Sequence, residues 1–133
     1  MMEAYGEIIK VVGEDLDELE HVNNIRYVKW IQDISRKHWE AVVDKELRKS
    51  LIWVVRNHNI TYHRAAVLGD SIHITTNIES FSGPLSNRSV EMKDRDSGEL
   101  LVRALTQWCL LDAGSLRPKR VPEAIQKLFG QTG

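Results

Sequence analysis

A chain of 133 residues, 42% hydrophobic and 28% charged, has the size and balance of one globular domain that buries a core without disulfides or metal staples. A net charge of −1 and a single cysteine, Cys109, exclude a polybasic nucleic-acid or membrane-surface binder and an internal disulfide framework. No apolar run is long enough to span a bilayer, and residues 1–7 lack the basic-then-apolar pattern of a secretory signal. The expectation is one cytoplasmic domain over 1–133, without a membrane span or a nucleic-acid partner.

In chain order, residues 5–13 predict a strand, because Ile8, Ile9, Val11 and Val12 are β-formers and Gly13 ends the run. Residues 14–22 are a polar loop with five acids and His21. Residues 23–47 predict one helix, with Asn23 or Asn24 as N-cap. Charged residues from Arg26 to Asp44 recur every three or four positions and make one polar stripe. Tyr27, Trp30, Ile31, Ile34, Trp39 and their neighbours make the rest apolar, and so broad an apolar surface needs a wide partner, a sheet.

Strands are predicted at 51–63, 71–81, 86–94 and 100–111. Ile72, Ile74, Thr76 and Ile78 alternate with polar residues, as in a half-buried antiparallel strand. Turns fall at Ser82-Gly83-Pro84 and Arg95–Glu99. A closing helix at 123–129 starts after Pro122 and ends at Gly130. Strand, long helix, then four strands joined by short turns predicts an α+β fold, an antiparallel sheet curled around one helix. The last strand is apolar on both faces in places, so a homodimer or homotetramer through a sheet edge or face is expected.

The chemistry is expected at the seam between loop and long helix, where carboxylates and an imidazole meet unpaired helix N–H groups. There Asp15-Leu16-Asp17, His21-Val22-Asn23-Asn24 and Tyr27 resemble the motif D-L-D-x-N-x-H-V-N-N-x-x-Y of acyl-ACP thioesterases of the hot-dog fold. The D-x-D followed by Tyr is similar to the 4-hydroxybenzoyl-CoA thioesterase group. Ile60-x-Tyr62-x-Arg64, Gly69-Asp70 and Arg117-Pro118-x-Arg120-x-Pro122 also resemble this superfamily. The resemblance implies a hot-dog fold and hydrolysis of an acyl-CoA or acyl-ACP thioester, as in fatty acid metabolism, with no cofactor and no metal. It implies Asp17 as catalytic carboxylate and His21 as its companion, with Asn23, Asn24, Tyr27 and Arg64 toward substrate. Two positions depart from the acyl-ACP pattern: Leu19 stands where that group has Asn, and Ala65 where it has Glu. A single Asp beside a helix start matches the simpler CoA-type arrangement.

Asp17 could attack the thioester or deprotonate water, while the backbone N–H groups of Asn23 and Asn24 hold the developing oxyanion. Bland readings stand beside these. A loop acid is ordinarily solvated, a His before a helix ordinarily hydrogen-bonds locally, and Asn23 and Asn24 are ordinary caps. Arg64, Arg88, Lys93, Arg117, Lys119 and Arg120 could grip CoA phosphates but read first as surface charge. Trp30, Trp39, Trp53 and Trp108 read as core, and Cys109 as a small core residue. His58, His63 and His73 show no metal-ligand spacing. The alternatives are a non-catalytic acyl-CoA-binding or sensing domain on the same fold and, with no matching motif, a hydroxyacyl dehydratase.

Overall fold

The computed structural model describes residues 5–130. The order is β1 (Tyr5–Lys10), a 3-10 turn (Gly13–Asp15), α1 (Asn24–Val42), α2 (Lys45–Arg48), β2 (Leu51–Tyr62), β3 (Ser71–Ser82), β4 (Leu85–Asp94), β5 (Leu100–Asp112) and α3 (Glu123–Leu128). The five strands form one antiparallel sheet in the order β1-β3-β4-β5-β2, and α1 packs against β1 and β3. This is the expected α+β fold. No helix among the described residues is long and apolar enough to cross a membrane.

The core follows the two periodicities in the sequence. Ile72, Ile74, Val90, Met92, Val102 and Ala104 point from the sheet to Tyr27, Trp30, Ile31 and Ile34 of α1. A second cluster joins Val43, Leu51, Ile78 and Leu110 to Val121, Ile125 and Phe129, so the closing helix seals the far end of the sheet. Fully burying a side chain of this kind contributes about 2 kcal/mol, an upper estimate because the unfolded chain is itself partly compact.

Three local expectations are corrected. The first strand ends at Lys10, because Gly13–Asp15 winds into a 3-10 turn. The long helix ends at Val42 rather than near 47. Val43 turns extended and is buried at 2% exposure, and the side chain of Arg48 in the separate α2 donates to its carbonyl (2.9 Å). The β-branched Val42 and Val43 form helix weakly, and burying Val43 in the second cluster outweighs continuing the helix. On α1, Ile25 is 73% exposed although apolar, while Ser35 and His38 are buried. Ser35 donates its hydroxyl to the Ile31 carbonyl (2.7 Å), which lets it sit inside.

Candidate active site

Asp17 heads a tight turn. Its carboxylate Oδ1 accepts from the backbone N–H of Leu19 (2.9 Å) and of His21 (3.1 Å). Its own N–H donates to the His21 carbonyl (2.7 Å), and Glu20 N–H donates to the Asp17 carbonyl (3.0 Å). Leu16 and Val22 bridge the base of the turn, and Glu20 closes it at φ 62°, a left-handed conformation that non-glycine residues seldom adopt. Two amides thus fix the carboxylate through one oxygen. Oδ2 accepts no hydrogen bond among the described residues. The Asp17 side chain is half-buried and His21 is exposed.

The turn is fastened from outside. His21 bridges Val67, and Val22 N–H donates to the Ala66 carbonyl (2.9 Å). Asp15 is buried at 7% exposure, unlike the solvated loop acid expected. It accepts from Val12 N–H (2.9 Å) and pairs with Arg26 (3.4 Å), tying the loop to the first turn of α1. Sequence reasoning passed over Asp15; the signal available was its place at the head of the D-L-D run.

At the helix start, Asn23 is the N-cap, its side chain accepting from Ile25 N–H (3.0 Å). Its backbone N–H donates to the Asp15 carbonyl (2.8 Å), so it is not available to an oxyanion, contrary to the sequence reading. Val22 N–H is spent on Ala66 and Arg26 N–H on the Asn23 carbonyl. The Asn24 N–H is the one in this run, 22–26, with no acceptor among the described residues.

Tyr27 is 2% exposed and its hydroxyl accepts from Ala66 N–H (3.0 Å). Burial, above all, raises its pKa, so it remains a neutral phenol that holds the 66–67 segment over the helix start. Arg64 pairs with Asp94 (3.2 Å) and Glu99 (3.0 Å), bracing the β4–β5 turn. The structure therefore gathers Asp17, His21, Asn23 and Asn24 at one seam, places Tyr27 beneath it, and engages Arg64 with two acids.

A cavity of about 490 Å³ lies between the second half of α1 and the sheet, lined among others by Ser35, Trp39, Trp53, Val55, Arg88 and Trp108. None of the expected site residues lines it. Two expectations change here. Trp39, Trp53 and Trp108 are half-buried and wall the cavity, whereas Trp30 belongs to the core. Arg88, expected at the surface, is 5% exposed.

The family model of the acyl-ACP thioesterase N-terminal domain matches residues 3–129. The long-chain acyl-CoA thioesterase FadM of Escherichia coli (strain K12) is 29% identical over 109 residues, 78% of this chain and 80% of that protein. The crystal structure of YbaW, a probable thioesterase from Escherichia coli, superposes with a TM-score of 0.85 at 26% identity, covering 92% of this chain and 94% of the other. The acyl-[acyl-carrier-protein] hydrolase FATB3, chloroplastic, of Cuphea viscosissima is 29% identical over 80 residues, 60% of this chain but 19% of that protein.

Proposed function

Because this chain belongs to the acyl-ACP thioesterase family, and is therefore a thioester hydrolase of the hot-dog fold, we propose that its reaction runs at the seam between the Asp17 turn and the start of α1. The observation that carries this is the carboxylate held through Oδ1 by two amides, with Oδ2 unengaged. Oδ2 takes a proton from water as the water oxygen bonds to the thioester carbon. The carbonyl oxygen, becoming an oxyanion, is held by Asn24 N–H at the positive end of α1. Such a donor supplies about 3 kcal/mol in the transition state. The tetrahedral intermediate then collapses, the C–S bond breaks, and the thiolate leaves with the sulfur electron pair and takes up the proton from Asp17, which is a carboxylate again. A direct attack by Asp17 would form an anhydride needing a second base for its hydrolysis; the water route needs one carboxylate. His21, exposed at the same turn, orients the water.

We assign the carrier as coenzyme A. The acyl-CoA relative aligns over 80% of its length, and Leu19 and Ala65 stand in place of two polar residues of the acyl-ACP pattern. The acyl chain lies in the cavity of a second subunit. β2 is an edge strand of twelve residues with no proline and one Lys or Arg, Arg56, an edge suited to pairing. A two-fold axis through that edge pairs β2 antiparallel with its copy. The cavity flanks the first half of β2, and the Asp17 turn docks just beyond its second half. Antiparallel pairing therefore brings each Asp17 toward the partner's cavity.

The test is release of free thiol from a panel of short, long and aromatic acyl-CoAs. Hydrolysis by the parent, and a fall of roughly a hundredfold or more in Asp17→Asn, is expected. Equal rates from parent and variant would sink this assignment of the site.

A further inference from the structure

We infer that the cavity beside Arg88 selects an acyl group carrying a carboxylate at its far end, an ω-carboxyacyl thioester. This rests on the thioesterase reading and extends it to the substrate. Arg88 stands on β4 facing α1. Both of its hydrogen-bonded partners are neutral and both engage Nη1: Nδ1 of His38 at 2.8 Å and the Thr76 hydroxyl at 3.0 Å. Thr76 in turn donates to the Ser89 carbonyl (2.8 Å), so its lone pair is free to accept from Arg88. None of the ion pairs among the described residues involves Arg88.

The neighbours do not neutralise the charge. Asp33, the acid on the cavity wall, is paired with Lys29 (3.3 Å) and Arg36 (3.6 Å). His38 is kept neutral by burial and by the Arg88 cation, which lower its pKa to about 4. Burial lowers the Arg88 pKa to about 10, which leaves it a cation near neutrality. A buried guanidinium without a carboxylate is costly, and a partner anion offsets that cost. Trp108, on the same wall, adds an indole N–H that is buried with no acceptor among the described residues. Arginine and tryptophan side chains donate and do not accept. Trp39, Leu51, Trp53, Val55 and Ile78 give the wall an apolar stretch, beside which Gln32, Ser35, Arg36 and Ser86 also line the cavity. Methylene groups suit the apolar stretch, and acceptor oxygens suit Arg88, where a carboxylate can bond through two oxygens.

The experiment compares suberoyl-CoA with octanoyl-CoA, two eight-carbon chains that differ at the tail, using the parent, Arg88→Met and Arg88→Lys. The parent should favour suberoyl-CoA in kcat/KM by tenfold or more, chiefly through KM. Arg88→Met should erase that preference while octanoyl-CoA is still turned over, and Arg88→Lys should keep part of it. Thermal melts with free suberate and free octanoate give a readout independent of turnover and, in the parent, of any variant's folding. Suberate should stabilise the parent more than octanoate does, and should not stabilise Arg88→Met. Octanoyl-CoA cleaved as well as suberoyl-CoA by the parent, with no selective stabilisation by suberate, would overturn the inference and leave the thioesterase reading intact. No cleavage of any acyl-CoA would instead strike the assignment of coenzyme A as the carrier.

Discussion

At the scale of single residues, the site depends on hydrogen bonds that fix one carboxylate and one helix start. Asp17→Asn is the cleanest probe, because an amide Oδ1 can still accept from Leu19 and His21 while the proposed base is gone. Alanine would remove the turn as well. Tyr27 supports the seam from below. Tyr27→Phe leaves the Ala66 N–H, in a residue with no exposed surface, without its acceptor, which costs about 1–3 kcal/mol. Urea unfolding should show that loss, and kcat should fall as well, because Ala66 and Val67 hold the Val22 and His21 backbone. Unchanged stability in Tyr27→Phe would mean that the hydroxyl does not fasten this segment. Asp17, His21 and the Asn23 cap could be read from the sequence because they lie within seven consecutive positions beside a helix start. The Asn23 amide already donated to Asp15, and the buried state of Arg88, could not. Each depends on a partner that is revealed only when the loop or the sheet has closed.

At the scale of elements, α1 is joined to the sheet by a polar contact as well as by its apolar face. His38, 3% exposed, stacks on Tyr5 at 5.3 Å and meets Arg88 of β4. In the unfolded chain its imidazole titrates near 6.5; in the folded protein burial, reinforced by the Arg88 cation, lowers that to about 4. As pH falls below 6.5 the unfolded state binds a proton that the folded state refuses, so stability falls between pH 6.5 and 4. The full loss is roughly 3 kcal/mol, and below pH 4 this group contributes no further slope. The difference in unfolding free energy between the parent and His38→Gln, measured across pH 4 to 7, should follow that curve; a flat difference would refute it. Element order and the alternation of β3 were legible because period-two and helical patterns are local. The end of α1 was not, since Val43 leaves the helix to join residues distant in sequence. Nor was the bulge between Val55 and Asn57, which shifts the β2 register against β5. It moves the inward positions from Trp53 and Val55 to His58 and Ile60, and His58 then meets Thr106 (2.9 Å).

At the scale of the whole molecule, the Asp17 turn and the cavity sit at opposite ends of α1. From Asn24 to Gln32, the first residue of α1 on the cavity wall, the helix advances roughly 12 Å at 1.5 Å per residue. The proposed pairing through the β2 edge would remove that separation by lending each turn the other subunit's cavity. The consequence is complementation between two inactive proteins. Asp17→Asn keeps its cavity and its turn but lacks the proposed base. Val55→Trp keeps the base but fills the cavity that Val55 lines. In a mixed dimer, one site combines the intact Asp17 of the second with the intact cavity of the first, while the other site carries both lesions. Co-refolding the two variants should therefore restore hydrolysis, at up to about half the parent rate per mixed dimer because one of its two sites is whole. Each variant refolded alone should stay inactive. Failure of the mixture to regain activity, with mixed dimers demonstrated by native mass spectrometry, would place base and cavity within one subunit and overturn the shared-site arrangement.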